Sequence, residues 1–145
     1  IELAKRAGFL DPRLVADRPI EITDPKIEAA AQGVQFFSAT YRLFKLPALE
    51  AACEDYDQTV TYNGSIPYHP ERFVLDKHHV IEAGQVFPVC GNTFDMLHDS
   101  RFRPLFELRG QKRCHQGISP GCGTTRPFDQ NGSSSTAAVV SAPFS

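Results

Sequence analysis

The sequence predicts an α+β chain, most of which is a mainly antiparallel β-sheet domain with one or two short helices. Short aromatic and β-branched runs alternate with polar residues, which is typical of half-buried strands. Turn signals such as Asn63-Gly64 and Ala83-Gly84 separate these runs at hairpin spacing. Helical periodicity is confined to short segments. With 145 residues, the chain can hold one domain of about 100 residues and additional segments.

The first 30 residues have a different pattern. Apolar residues recur at helical spacing within 1–7, and Gly8 can adopt the left-handed conformation that ends a helix. Two short strand pieces follow, at 14–15 and 20–22. We therefore expect residues 1–30 to be the last helix and strand of a doubly wound α/β domain whose sheet lies upstream.

Residues 31–128 are expected to form the β-rich domain, and residues 129–145 a disordered tail of small residues with almost no charge. A helix is predicted at 25–32, and Asn92 is predicted to cap a second short helix. The predicted strands, in chain order, are 34–46, 59–62, 72–82, 86–89 and 105–108.

Charge and hydropathy exclude several classes of protein. Fifteen basic and seventeen acidic residues give a net charge of −2, without the basic excess of a nucleic-acid-binding module. No apolar run approaches the roughly 20 residues of a transmembrane helix, so no membrane partner is expected. No signal-peptide pattern is present, and four cysteines are few for a secreted disulfide scaffold, so we expect a reducing, cytoplasmic location.

The four cysteines, Cys53, Cys90, Cys114 and Cys122, are the candidate metal or metalloid ligands. Thiolates are soft donors that suit Zn(II), Cu(I) or a trivalent metalloid. The close pair, Cys114 and Cys122, is separated by seven residues, a wider spacing than in structural zinc sites. The alternative is four unconnected thiols, some of them packed as small hydrophobic side chains.

Other chemistry is weakly indicated. His78 and His79 would point to opposite faces of the predicted strand 72–82, and Asp76 would share a face with His78 and bond to it. The alternative is a purely structural pair. No G-x-S-x-G turn, P-loop or G-x-G-x-x-G follows a strand, so no catalytic or cofactor-binding residue is predicted.

Several segments resemble one known family when they are taken together and in order. They are AGFLDPRLV (7–15), RPIEI (18–22), FFSATYRLFKL (36–46), CEDY (53–56), RFVLDKHHVIEAG (72–84), VFPVCGNT (86–93), MLHDSRF (96–102) and PGCGT (120–124). As a set, they are similar to the C-terminal part of arsenite S-adenosylmethionine methyltransferases, particularly algal and fungal members. The resemblance covers about residues 1–128.

The resemblance implies a division of labour. Family members transfer a methyl group from S-adenosylmethionine to As(III) held by cysteine thiolates, and a Rossmann-like domain binds the cofactor. Residues 1–30 would end that domain, and residues 31–128 would be an accessory, stabilising domain without its own cofactor site. The implied partners are the upstream domain and arsenite or a thiol-conjugated arsenical, and this portion alone is expected to be inactive.

Two other hypotheses remain open at this point: a stand-alone thiol-based module that binds a metal or metalloid, and a purely structural domain. Cys53, Cys90 and Cys122 match cysteines of the family, whereas Cys114 looks like an addition in this chain. Phe94 stands where the family commonly has Trp.

Overall fold

The computed structural model describes residues 1–119, so the predicted tail 129–145 and the preceding residues 120–128 lie outside the described part. The helices within 1–119 are α1 (Glu2–Arg6), α2 (Pro25–Ala31) and α3 (Gly91–His98), with a 3-10 turn at Arg103–Leu105. The strands are β1 (Arg13–Ile20), β2 (Phe36–Arg42), β3 (Glu54–Asp55), β4 (Gln58–Tyr62), β5 (Arg72–Asp76), β6 (His79–Glu82), β7 (Val86–Val89), β8 (Phe106–Arg109) and β9 (Gly117–Ile118).

Every pair of these strands is antiparallel, and the helices are short, so the mainly antiparallel β class is confirmed. None of the helices in the described part is long and apolar enough to cross a membrane. The Rossmann-like sheet predicted to precede this chain stays a prediction.

Strands β1 and β2 form a two-stranded ribbon, with α2 in the connection between them. The strand piece predicted at 14–15 and the first residue of the piece predicted at 20–22 belong to one continuous strand, β1, which ends at Ile20, so residues 21 and 22 lie outside it. Asp24 caps α2 by accepting a hydrogen bond of 2.8 Å from the N–H of Lys26. The helix ends at Ala31, and the next residue, Gln32, is left-handed with φ 50°. The ribbon therefore crosses residue 30, where the sequence predicted a domain boundary.

The remaining strands, with α3, form what we call the β domain. Its centre is a three-stranded sheet in the order β7–β4–β8. The strand predicted at 59–62 is part of β4, along which Gln58, Val60 and Tyr62 are buried and alternate with partly exposed residues. The short pair β3–β9, which was not predicted, brings residues 117–118 against 54–55.

The predicted single strand 72–82 is wrong, because the chain reverses within it and forms the hairpin β5–β6. The cause is Asp76, whose Oδ1 accepts hydrogen bonds from the N–H groups of His78, at 2.8 Å, and His79, at 2.9 Å. An aspartate that bonds to the backbone two residues later favours a tight turn. The apolar residues on both sides of this turn made the segment look continuous.

The predicted cap of the second helix is also wrong. Cys90, not Asn92, precedes the first turn of α3, and its Sγ accepts a hydrogen bond of 3.4 Å from the N–H of Thr93. Asn92 is a helical residue, and its side chain is buried. Met96 and Leu97 on the same helix are fully buried against the sheet.

The core of the β domain is rich in aromatic rings. Tyr62, Phe73 and Phe106 pack together with ring centroids 5.1–5.8 Å apart. The Tyr62 hydroxyl donates to the carbonyl of His69 at 2.8 Å and accepts from the N–H of Ile66 at 3.1 Å. Its polar end is therefore satisfied, as a buried tyrosine requires.

Candidate functional site

A buried ionic cluster lies where the ribbon meets the β domain, and we call it the Arg13 network: Asp11, Arg13, Asp76, His79 and Asn92. The Arg13 side chain is 1% exposed. Its Nη2 donates to Asp11 Oδ2 at 2.8 Å, and its Nη1 donates to Asp76 Oδ2 at 3.0 Å. One guanidinium thus neutralises two buried carboxylates, one local in sequence and one 63 residues away.

Asp76 is the most constrained carboxylate of this network. His79 Nδ1 lies 2.8 Å from its Oδ1 and 3.0 Å from its Oδ2. Burial by itself raises the pKa of Asp76, but the hydrogen bond and charge of His79, the charge of Arg13 and the N–H of His78 outweigh it. The pKa of Asp76 consequently lies well below its usual range, and the group is a carboxylate at neutral pH.

Asn92 connects the network to the loop that precedes β3. Its Nδ2 donates to Asp11 Oδ2 at 3.1 Å and to the carbonyl of Glu50 at 2.9 Å. Its Oδ1 accepts from the N–H of Glu50 at 2.8 Å. Both ends of the buried amide are used, so helix α3, the 46–53 loop and Asp11 are held in one arrangement.

The two buried cysteines lie at opposite ends of this polar arrangement. The Cys53 thiol donates to Asp11 Oδ2 at 3.9 Å. Cys90 Sγ lies 3.3 Å from Thr93 Oγ1, which in turn lies 3.5 Å from His79 Nε2. Cys53 therefore contacts a carboxylate that Arg13 also binds. Cys90 is connected to Arg13 less directly, through Thr93, His79 and Asp76.

The other two predicted ligands are placed differently. Cys114 is exposed, and Cys122 lies outside the described residues. No disulfide links any two of Cys53, Cys90 and Cys114. Within residues 1–119, no group of three or more His, Cys, Asp or Glu side chains is arranged to hold a metal ion. The metalloid role of the four cysteines stays a prediction.

The loop that carries Cys114 is tied to the surface of the β domain. Tyr56 donates its hydroxyl hydrogen bond to Glu50 Oε1 at 2.7 Å, and this bond raises the pKa of Tyr56 to about 12. Lys112 Nζ lies 2.6 Å from Asp95 Oδ2 and 5.6 Å from the centre of the Tyr56 ring. His115 forms an ion pair with Glu54. These contacts fix residues 111–118 against α3 and β3.

The predicted contact between the His78 side chain and Asp76 is replaced in the structure by one from the neighbouring histidine. The imidazole of His79 contacts the Asp76 carboxylate, because the turn at Asp76 reverses the chain before His79, whereas His78 bonds to the same carboxylate through its backbone N–H. Asp11 and Arg13 were missed altogether. Nothing local in the sequence pairs them with Asp76, although a charged residue next to the apolar Leu14-Val15 was a signal worth testing.

A second surface feature lies on the ribbon. A shallow groove of about 320 Å³ runs between α2 and the far end of the two strands, and its apolar lining includes Ile20, Ile22, Val34 and Phe36. Val34 is 60% exposed, Phe36 48% and Ile20 45%. Ile27 on α2 and Phe37 on β2 are exposed as well, although neither of them lines this groove. The end of the ribbon away from the β domain therefore presents an exposed groove that is mainly apolar, with Glu21, Glu28 and Gln35 also in its lining.

Comparison with known proteins gives a consistent result. A family model described as "Arsenite methyltransferase C-terminal domain" matches residues 55–140. An arsenite methyltransferase of Aquipseudomonas alcaligenes is 57% identical over 128 residues, which is 88% of this chain and 37% of that protein. The arsenite methyltransferase of Mus musculus is 36% identical over 106 residues, 72% of this chain and 27% of that protein.

A solved structure agrees. The crystal structure of an arsenic(III) S-adenosylmethionine methyltransferase from Chlamydomonas reinhardtii matches with a TM-score of 0.77 and 37% identity. The match covers 81% of this chain and 40% of that one. The chain thus spans about two fifths or less of the proteins it matches. The resemblance found in the sequence is confirmed, and the chain belongs to the arsenite methyltransferase family.

Proposed function

We propose that the chain is the C-terminal portion of an arsenite methyltransferase, which methylates thiol-bound As(III) with S-adenosylmethionine. In this proposal, the upstream domain binds the cofactor, and the β domain is an accessory, stabilising part. Two findings support it: the family model is that of a C-terminal domain, and the chain spans 37% of its bacterial relative. A stand-alone metal-binding module is less well supported, because the named relatives are methyltransferases.

The observation that carries the proposal is the apolar end of the ribbon. A two-stranded antiparallel ribbon is marginally stable at best in water. Here Ile20, Val34 and Phe36, which line one groove at the far end of the two strands, are all at least 45% exposed. A contiguous exposed apolar patch marks a contact surface. We infer that the upstream methyltransferase domain covers it, which makes the ribbon the attachment between the two domains.

The predicted assignment of residues 1–30 to the upstream domain is part of this proposal. Because β1 pairs with β2 along its length, the two strands belong to the same unit. The family model begins only at residue 55, after the ribbon has ended. We therefore propose that the attachment extends through β2 and that the accessory domain follows it.

A metalloid relay through the thiols is a secondary element of the proposal. Cys90 and Cys53 are buried, and Cys114 is exposed, so a metalloid handed in or out would meet the surface thiol first. Cys122, which matches a family cysteine, is included on the sequence alone. Cytoplasmic location belongs to the same proposal, because reduced thiols persist there.

Deletion of the β domain tests the proposal in the complete protein. As(III) methylation is measured with and without residues 55–145, and we expect the truncated chain to lose most of its activity or its thermal stability. The double variant Ile20→Ser, Phe36→Ser should also lower activity or thermal stability, because it weakens the apolar contact between the ribbon and the upstream domain. Val86→Ser is the matched control, because Val86 is an exposed apolar residue on β7, outside the ribbon. Full activity and stability of the truncated chain would refute the accessory role.

A further inference from the structure

Two β-bulges lie where the ribbon meets the β5–β6 hairpin. The register of β1 shifts between Leu14 and Ala16, and the register of β5 shifts between Val74 and Asp76. A bulge bends its strand and leaves backbone groups outside the ladder. The structure uses such groups to join the two elements: the carbonyl of Leu14 accepts from the N–H of Lys77 at 3.0 Å.

Two arginines stand directly opposite each other at this place. Arg13 on β1 pairs in register with Arg42 on β2. Like charges directly opposite on paired strands are destabilising, so packing alone does not explain the pair. Both side chains reach the end of β5 instead. Arg13 bonds to the Asp76 carboxylate, and Arg42 Nη1 donates to the carbonyls of Val74, at 2.8 Å, and Leu75, at 3.0 Å.

The environment of Arg42 requires the shape of a guanidinium. Its Cζ lies 5.5 Å from the centre of the Phe73 ring and 5.3 Å from that of Phe102. A flat, delocalised cation can stack on aromatic rings while its N–H groups hydrogen-bond in its own plane, and the compact ammonium of a lysine does not reproduce that planar geometry. Arg42 therefore connects the end of β2 to the core of the β domain, and its hydrogen bonds and ring contacts also fix the orientation of the guanidinium.

A further ion pair lies beside the bulges. Lys77 Nζ is 2.5 Å from Asp17 Oδ1, which lies four residues along β1 from Arg13. The ribbon is thus bonded to the hairpin at three of its residues, Arg13, Arg42 and Asp17. Three directional contacts that are not collinear resist sliding and rotation, which a purely apolar contact would permit.

We propose that this junction is an orienting joint that fixes the angle between the ribbon and the β domain, with Arg42 as a positioning residue. The joint consists of Arg13, Arg42 and Lys77 with their partners on β1 and β5. Its consequence for catalysis rests on the proposed function: if the ribbon is attached to the upstream domain, the joint sets the position of the β domain against the catalytic part. A displacement of about 1 Å far from the reacting atoms can lower a rate by up to about a hundredfold.

The test uses Arg42→Lys in the complete protein, which keeps the charge and removes the planar fork. p-Acetylphenylalanine is introduced at two exposed positions, 26 on α2 and 85 just before β7, and each carries a spin label. Double electron–electron resonance then measures the distance between the two labels, one on the ribbon and one on the β domain. We expect one narrow distance in the unaltered protein, and a shifted or broadened distribution in the variant. Arg109→Lys is the matched control, because that exposed arginine contacts Glu107 on its own strand.

Activity gives a second readout. Arg42→Lys should lower the kcat of As(III) methylation while the KM for S-adenosylmethionine is unchanged, since cofactor binding belongs to the upstream domain. An unchanged distance distribution in a folded Arg42→Lys protein would refute the proposal that this junction orients the two parts. If that variant does not fold, Lys77→Met, at a partly exposed position, is measured in the same way, and an unchanged distribution there counts equally against the joint. The distance readout needs no activity, so a complete protein that does not methylate arsenite would refute the proposed function alone.

Discussion

Arg13 shows what one residue does in this fold. Its guanidinium bonds to the carboxylates of Asp11 and Asp76, and all three side chains are at least 95% buried. A buried ion pair adds little net stability when it is compared with apolar residues of the same volume. Removing one partner is different, because the remaining charges stay buried without compensation. The Arg13 network is therefore sensitive to any substitution that unbalances it.

We predict that Arg13→Met destabilises the protein by about 3–5 kcal/mol, because it removes the cation that two buried carboxylates, Asp11 and Asp76, share. Chemical denaturation of the variant and the unaltered protein measures this loss. Arg109→Met is the control, since Arg109 is mostly exposed and its ion pair with Glu107 is worth at most about 1 kcal/mol. A loss of stability no larger than that of the control would show that the Arg13 network does not hold the ribbon against the β domain.

The lowered pKa of Asp76 predicts how stability depends on pH. The folded-state pKa lies below the ordinary value of 3.8, so the stabilisation is fully present above about pH 4 and is lost as the pH falls below it. Asp76→Asn removes this titration. The free energy of unfolding of the variant, measured by urea denaturation, should depend less on pH below pH 4 than that of the unaltered protein. Parallel pH curves would contradict the assignment.

At the level of elements, the first turn of α3 depends on a thiol. Cys90 Sγ accepts a hydrogen bond from the N–H of Thr93, in the role usually taken by Ser, Thr, Asp or Asn. The same sulfur is a predicted metalloid ligand. Structural and chemical roles of Cys90 can therefore be separated by substitution.

We predict that Cys90→Ala lowers the free energy of unfolding by about 1 kcal/mol, the usual cost of losing a helix cap. Cys90→Ser should lower it much less, because a serine hydroxyl can accept the same hydrogen bond. Thermal unfolding of both variants checks the difference. If Cys90 also takes part in the metalloid relay, Cys90→Ser should bind less As(III) despite its stability. Equal losses in the two variants would indicate that Cys90 contributes by packing and not by capping.

The elements differ in how well their sequence foretells them. The strand predicted at 59–62 corresponds to β4, because β-branched and aromatic residues followed by the Asn63-Gly64 turn are a local signal. The β5–β6 turn was missed because it depends on one side chain, Asp76, within an apolar run. The Arg13–Asp76 bond spans 63 residues, so no pattern in a single sequence could have revealed it. Long-range polar contacts of this kind depend on the tertiary fold.

At the scale of the whole molecule, two regions have opposite character. The β domain encloses an aromatic core, whereas the ribbon ends in exposed apolar side chains such as Phe36. The Arg13 network and Arg42 connect the two. This arrangement is what a C-terminal domain requires if it is to be held in a defined position on a larger enzyme.

Mixing separately produced pieces tests the central claim most directly. As(III) methylation with S-adenosylmethionine is measured for this chain alone, for the upstream part of the same protein alone, and for an equimolar mixture. We predict no methylation by this chain and a recovery of activity in the mixture, which Ile20→Ser with Phe36→Ser should prevent. Methyl transfer by this chain alone would contradict the account.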